Sequence, residues 1–432
     1  MIATIRNAWR VDEIRKKLLF MLFIILLYRL GNAVTVPFVN TAMWSEYFSS
    51  ANNTIFGLMN TMSGSALERG SIFALSIQPY INASIIIQLL TVAIPALERM
   101  QKEGGEEGKK KLEKITRYST VAIAILQGYG YYVLMSNGIN GVSMLGPEAT
   151  GPMPALVIVA TFVAGSALLM WMGEQITEFG IGNGISVILF VSIVSRFPAQ
   201  IISTIQSTIA NPSNWWVSAL LLLGALAIVV LIVIVTNAER RIPVQYSKRV
   251  VGRKMYGGQS THLPMKVNMS GVLPVIFAQS IASIPATIVA FVPSWQDSWF
   301  MKTFDMNTPV YAVLYFLLIV FFSYFYSTVQ FNPIEIANNL KKNGGFIPGF
   351  RAGKPTSEFI QKVLTKITLF GAMYLAIIAI SPIIISMVSN TAATSGISLG
   401  GTSVIIVVSV ALETIKQLES QLLMRHYKGF LE

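Results

Sequence analysis

Long apolar runs recur along this chain, and they leave it few ways to fold. Ten of them lie near residues 18–36, 73–94, 115–135, 154–172, 182–197, 215–235, 271–292, 310–328, 363–388 and 402–418. A run of about 20 apolar residues crosses the hydrocarbon of a bilayer as one helix. In lipid, only helices and closed barrels satisfy every backbone N–H and C=O. A barrel would show short alternating segments instead. The pattern predicts an all-α integral membrane protein with ten transmembrane helices. Composition agrees: 53% of residues are hydrophobic and only 12% charged, where a soluble domain carries about 25% charge. The chain has no cysteine, which excludes disulfides, thiolate metal sites and Cys nucleophiles.

Charge sets the orientation. Basic residues cluster before the first run (Arg6, Arg10, Arg15, Lys16, Lys17) and after the second, sixth and eighth, with Arg425 and Lys428 in the tail. The segments after odd-numbered runs hold almost none, Arg69 and Lys302 being the exceptions, with Arg196 at a span edge. The positive-inside rule then places both termini in the cytoplasm. Ile2, Ile5, Ala8 and Trp9 alternate with Arg6 and Arg10, as in a short helix lying on a membrane surface rather than a cleaved signal. Five spans reverse the orientation of the sixth relative to the first. Two inverted halves are therefore expected, 1–212 and 213–432.

The second run of each half is interrupted in a similar way. The first carries Gln78, Asn82, Ser84, Gln88 and Thr91, with prolines at 79 and 95. The other carries Pro274, Gln279, Ser280, Ser283 and Pro285. Amides and hydroxyls in a span face protein or a water-filled path rather than lipid. Matching interrupted spans point to a transport site between the halves. Ile81 and Ile85, one helical turn apart, put an apolar step on one face. The alternative is a buried bundle helix whose amides bond to neighbours.

Three stretches are not simple spans. Residues 54–70 are moderately apolar and rich in small residues, which fits either a short re-entrant helix or an amphipathic helix on the outer surface. The loops 237–270 and 331–362 are long, basic and glycine-bearing. Their length and charge fit a docking surface for something anionic, beyond a topology signal. No metal cluster, paired carboxylates or nucleotide loop stands out, and the GIGNG of 180–184 lacks the lysine and setting of a phosphate loop. The span interiors carry essentially no acids, where ion-coupled carriers keep them. The expectation is a protein that is not an enzyme, needs no cofactor, and passes something large and chemically mixed. The competing reading is a secondary transporter of a small neutral or hydrophobic solute.

Five stretches carry a family resemblance: 73–91 (FALSIQPYINASIIIQLLT), 176–186 (ITEFGIGNGIS), 259–281, 331–356 and 400–414 (GGTSVIIVVSVALET). Through them nearly the whole chain resembles the SecY family of protein-conducting channels. The resemblance implies two five-helix halves forming a clamshell around an hourglass pore in the bacterial plasma membrane. It implies a pore ring of Ile81, Ile85, Ile185, Leu189, Ile276 and Ile406, with Leu189 where isoleucine is common. It implies a plug near 54–67, centred on Ile55, Phe56, Gly57, Leu58, Met59, Asn60, Thr61, Met62, Ser63 and Gly64. Gln88, Thr91, Gln127, Gln279, Ser280 and Ser283 become lateral-gate polar residues, expected to hydrogen-bond across the seam. Arg240, Arg241, Lys248, Arg249, Arg253, Lys254, Arg351 and Lys354 become docking residues for the SecA motor ATPase and the ribosome. The other implied partners are SecE, SecG, signal peptides, unfolded secretory chains and membrane lipid.

Overall fold

The computed structural model describes residues 2–50, 55–138, 143–149, 151–210, 215–246, 249–251, 254–256, 260–269, 271–285, 288, 298–299, 303–304, 308–388 and 401–428. The helices are α1 (Ile2–Arg10), α2 (Asp12–Gly31), α3 (Thr41–Ser50), α4 (Ile55–Met62), α5 (Gln78–Ala93), α6 (Pro95–Lys102), α7 (Gly105–Asn137) and α8 (Pro152–Phe179). They continue as α9 (Gly184–Val194), α10 (Phe197–Ala210), α11 (Trp215–Asn237), α12 (Leu273–Ala282), α13 (Pro309–Gln330), α14 (Pro333–Lys342), α15 (Lys354–Val388) and α16 (Gly401–Lys428). Each expected run holds one of them: α2, α5, α7, α8, α9, α11, α12, α13, α15 and α16.

Among the described residues, five helical segments are long and apolar enough to cross a membrane, or six if the pair α5–α6, bent by 101°, counts as one. Three of the others fall short for visible reasons. α2 carries Arg15, Lys16, Lys17 and Arg29 in its twenty residues. α7 is diluted by Gln127, glycines and tyrosines. α12 is only ten residues long. The interrupted runs are interrupted as the prolines require. Residues 73–77 form turns, Ser76 takes φ +52°, and the helix starts only at Gln78, with Pro79 in its first turn. α12 likewise opens on Pro274. Proline fits there because a first-turn N–H has no helical partner anyway.

The fold is not wholly helical, which corrects the all-α expectation. Loop 237–270 contains strands β1 (Glu239–Tyr246), β2 (Arg249–Val251), β3 (Lys254–Tyr256) and β4 (Ser260–Lys266). β1 pairs antiparallel with β4, Ile242 opposite Leu263, and on its other edge with β5 (Gly345–Phe346), Gln245 opposite Phe346. β2 and β3 form a separate two-stranded hairpin. Ile242 and Val244 alternate inward and meet Met265, Ile347, Ile360 and Leu364 in a small core of their own. The two long basic loops are thus one folded body. α3 also went unread in the sequence; its Trp44 and Phe48 are fully buried against Leu67, Met135 and Phe162.

The main core joins residues of both expected halves: Tyr28, Phe73, Ile81, Ile85, Leu189, Ile276, Phe322, Ile383 and Ile406 all belong to it. Apolar transfer gives helices little reason to associate inside lipid, so close packing and small residues decide the contacts. Gly165 on α8 lies against the Ile72 carbonyl with no room for a Cβ, and Gly184 at the start of α9 lies in the same way against the Gly173 carbonyl of α8. Gly224 on α11 faces open space. We expect Gly165→Ala to lower the thermal unfolding midpoint of the purified protein, at a cost of about 1–3 kcal/mol of overpacking. Gly224→Ala should leave the midpoint unchanged or raise it slightly. Equal midpoints for both variants would show that α8 is not seated this tightly.

Candidate functional site

Four helices far apart in the chain bring aliphatic side chains to one place. Ile81 and Ile85 stand one turn apart on α5, and Leu189 comes from α9, Ile276 from α12 and Ile406 from α16. All five are at most 6% exposed and share one apolar cluster, with Ile185 packed against it half-buried. Local chemistry sets each helix start. Asn183 caps α9, its Oδ1 accepting from the N–H groups of Ile185 and Ser186 at 3.1 and 3.2 Å. Gly182, at φ +91°, makes the preceding turn. Gly401 lets α16 begin hard against the Ile378 carbonyl.

A cavity of about 490 Å³ opens from this cluster. Leu189, Ile276 and Ile406 line it at the apolar end, and Lys266, Glu413 and Lys416, all exposed, line it at the other. Asn268 and Ser409 also line it, and each keeps a buried side-chain oxygen without a hydrogen-bond partner in the protein. The lining is mixed polar and apolar, and its aliphatic members Leu189, Ile276 and Ile406 belong to the shared apolar cluster.

α4 packs against α9 and reaches the same cluster. Met62 belongs to the same apolar cluster and Met59 packs against it. Gly57, Asn60, Thr61 and Ser63 are buried. Thr54 and the side chains of Ile55, Phe56 and Leu58 lie outside the described residues. The segment closes on itself. Asn60 Nδ2 donates to Glu68 Oε2 at 2.9 Å, and the Glu68 N–H donates to Asn60 Oδ1 at 3.0 Å. Its outward bonds are few. Trp44 Nε1 donates to the Leu67 carbonyl at 2.6 Å, and Arg196 Nη1 to Thr61 Oγ1 at 2.9 Å. Gly64, at φ +67°, places its Cα where a Cβ would meet the Ser192 carbonyl at 2.9 Å.

α5 packs against both α12 and α7, which brings together the helices of the expected gate. Thr91, Gln127, Gln279, Ser280 and Ser283 are buried and Gln88 is half-buried. Two of their hydroxyls also bond within their own helices. Thr91 Oγ1 donates to the Gln88 carbonyl of its own helix at 2.7 Å, and Ser283 Oγ to the Ser280 carbonyl at 2.7 Å. Gln279 Oε1 has no partner. A hydroxyl one turn from a carbonyl finds it at no conformational cost, so the local bond forms first. Gln127 instead meets Gln78, Ser76, Tyr131 and Met59 around a cavity of about 10 Å³, room for about one water.

The basic residues lie on the joined loops. Arg240 and Arg241 are exposed on β1, Arg241 paired with Glu239 at 2.7 Å. Arg249 lies in β2 and Lys254 in β3; Lys248 and Arg253 lie outside the described residues. Arg351 and Lys354 are exposed where β5 leads into α15. Gly349 at φ +89° and Gly353 at φ +104° bracket Arg351, whose carbonyl accepts from Thr356 Oγ1 at 2.8 Å. The guanidinium is free of that bond and points its charge outward from a rigid turn.

Comparison with known proteins agrees with this geometry. The SecY family model matches residues 71–415. Protein translocase subunit SecY of Streptomyces scabiei is 44% identical over 443 residues, and that of Streptomyces coelicolor 45% over 444, each covering 100% of both chains. The subunit of the same name from Mycobacterium tuberculosis is 43% identical over 447 residues, again across the full length of both. A solved structure described as that of a protein conducting channel aligns over 94% of this chain and 92% of its own, with TM-score 0.66 and 17% identity. Sec61 in the canine ribosome-channel complex aligns over the same shares, with TM-score 0.62 and 16% identity. On the matched family model and the full-length relatives, the chain belongs to the SecY family.

Proposed function

We infer that this chain is the protein-conducting subunit of a translocase: it moves unfolded polypeptides across a membrane and lets apolar segments leave sideways into lipid. The observation that carries the reading is a buried aliphatic cluster drawn from four helices beside a cavity of mixed polar and apolar lining, in a chain whose full-length relatives are translocase subunits. An apolar collar suits a cargo of mixed side chains, because it forms no bond that any one of them must satisfy. A carrier of small solutes would need specific polar coordination at the constriction, and the aliphatic side chains offer none.

In this reading the pore ring is Ile81, Ile85, Ile185, Leu189, Ile276 and Ile406, and α4 is its plug. The chain divides into halves 1–212 and 213–432, with ten spans and both termini in the cytoplasm of a bacterium. The contact of α5 with α12, with α7 packed behind α5 and α13 behind α12, is the lateral gate, and aromatic packing of Phe277 on Phe322 and Tyr326, at 5.8 and 6.2 Å, supports its second half. The folded body of β1, β4 and β5 carries Arg240, Arg241, Arg351 and Lys354 as docking cations for a motor ATPase or the ribosome. The driving energy then comes from those partners, and small membrane subunits of the SecE and SecG type complete the complex.

The native absence of cysteine makes the path testable. A secretory chain bearing one cysteine, stalled in transit, should crosslink on oxidation to Ile85→Cys and Ile276→Cys but not to Leu222→Cys, which is 51% exposed on α11. Crosslinks at neither pore position, with transport confirmed, would move the path elsewhere.

Ile85→Asn or Ile276→Asn should raise resting ion conductance in planar bilayers by about tenfold, since 1.4 kcal/mol on the wetting equilibrium suffices for that factor and an amide in place of an aliphatic group supplies more. Unchanged conductance would remove these residues from the seal.

Arg351→Glu should weaken motor-driven export about tenfold at limiting motor, the scale of one lost charge pair made repulsive. Its unfolding midpoint should not move, because only the Arg351 carbonyl is used internally. Normal export at limiting motor would remove Arg351 from the docking surface.

A further inference from the structure

Three buried oxygens next to the plug share too few hydrogens. The Tyr28 hydroxyl on α2 lies 3.1 Å from the Ser63 carbonyl, at the end of α4, and 2.6 Å from Ser192 Oγ on α9. Ser192 Oγ in turn lies 2.8 Å from the Ile188 carbonyl of its own helix. All of Tyr28, Ser63 and Ser192 are at most 1% exposed. A hydroxyl carries one hydrogen. Two hydrogens therefore face three contacts, and only two of the contacts are bonds at any moment.

Of the three possible pairings, the one in which Tyr28 donates to Ser63 and Ser192 to Ile188 leaves two oxygens 2.6 Å apart with no hydrogen between them and is repulsive, so two favourable arrangements remain. In the first, Tyr28 donates to the Ser63 carbonyl and Ser192 donates to the Tyr28 oxygen; the plug is held. In the second, Tyr28 donates to Ser192 Oγ and Ser192 donates to the Ile188 carbonyl; α2 and α9 satisfy each other and nothing ties them to the plug. Neither arrangement orphans a buried hydroxyl, which would otherwise cost about 1–3 kcal/mol. When α4 leaves, the Ser63 carbonyl goes with it. Gly64 places the Ser63 carbonyl accurately on return, because its seat against the Ser192 backbone admits no Cβ. Ser192 lies on the same short helix as Leu189, three residues on, so the contact sits one turn from the constriction.

We propose that Tyr28 is a two-position hydrogen-bond switch, holding the plug through the Ser63 carbonyl and turning to Ser192 when the plug leaves. The proposal rests on reading α4 as a displaceable plug. It differs from a plain latch in one respect: Ser192 is not part of what holds the plug but the alternative that makes release cheap. Removing Tyr28 and removing Ser192 should therefore act in opposite directions.

The experiment places one thiol on the plug, Met62→Cys, at a position 4% exposed. Its alkylation by a membrane-impermeant maleimide is timed on the full channel complex in nanodiscs, without client. Adding Tyr28→Phe should speed alkylation about fivefold, and Ser192→Ala should slow it about fivefold, each on the scale of one net hydrogen bond. With Tyr28→Phe already present, Ser192→Ala should have no further effect. Thr61→Val removes the Arg196 contact but neither hydroxyl, and should speed alkylation by the same factor whether or not Ser192→Ala is present. Acceleration by Ser192→Ala would overturn the switch in favour of a simple latch. One rate for all variants would overturn the switch and leave the plug reading intact. A thiol that stays unreactive in every variant, and also with a signal peptide bound, would overturn the plug reading and the switch with it.

Discussion

A seal made of aliphatic side chains has no bonds to break. The rest of this structure follows from that. Ile81, Ile85, Leu189, Ile276 and Ile406, which form the seal in the proposed reading, share one apolar cluster, and dispersion between apolar atoms is non-directional and tolerant of small shifts. In lipid the same groups gain little from burial as such, because acyl chains are as apolar as they are. The closed cluster is therefore favoured over an open one mainly by packing density and by the exclusion of water. That is a modest preference, and a protein that must open needs it to be modest.

The polar groups are arranged around this constraint. They are numerous near the constriction, yet most are spent locally: Thr91 on Gln88, Ser283 on Ser280, Asn60 on Glu68. A side chain that bonds within its own helix costs nothing when helices part. Few bonds cross a boundary that has to move. The structure thereby keeps the plug and the helix contacts specific in geometry while keeping the free energy of separation near a few hydrogen bonds of about 1 kcal/mol each. Orphaned oxygens on Asn268, Gln279 and Ser409 fit the same scheme, since groups left unpaired in the closed form are available to whatever enters.

Much of this was legible in the sequence, and for identifiable reasons. Each apolar run holds a helix, because length and hydropathy are properties of single segments. Pro79 and Pro274 marked the two shortened helices before any packing was known. Ile81 and Ile85 showed as an apolar step; the other four members of the cluster came from the family resemblance, since nothing in their local pattern distinguishes Leu189 or Ile406 from lipid-facing neighbours. The sheet was missed because β1 reads as a charged loop until β4 and a two-residue strand about a hundred positions later complete it. The helix around Trp44 was missed because it is short and lies between stronger signals. Tyr28 and Ser192 were invisible for a different reason: each is an ordinary residue whose role exists only where three separate segments meet. At the expected gate, Thr91 and Ser283 each also bond a carbonyl of their own helix, as a serine or threonine in a helix commonly does.

The joining of the two loops carries a last consequence. β5 contributes only two residues, yet through it the segment bearing Arg351 becomes an edge of the sheet bearing Arg240 and Arg241. α15 runs directly from that body into the membrane core, with Ile360 and Leu364 in the sheet's small core and Ile378 and Ile383 in the main one. A partner that tilts the cytoplasmic body therefore has a single continuous helix through which to act on the packing beside α12 and α16. In the proposed reading the docking cations sit on the body from which that helix leaves, and the constriction lies beside its far end. Work of a few kcal/mol done on that body is on the scale of an aliphatic seal and a few crossing hydrogen bonds of about 1 kcal/mol each, which is why a weak seal and a folded docking body suit the same molecule.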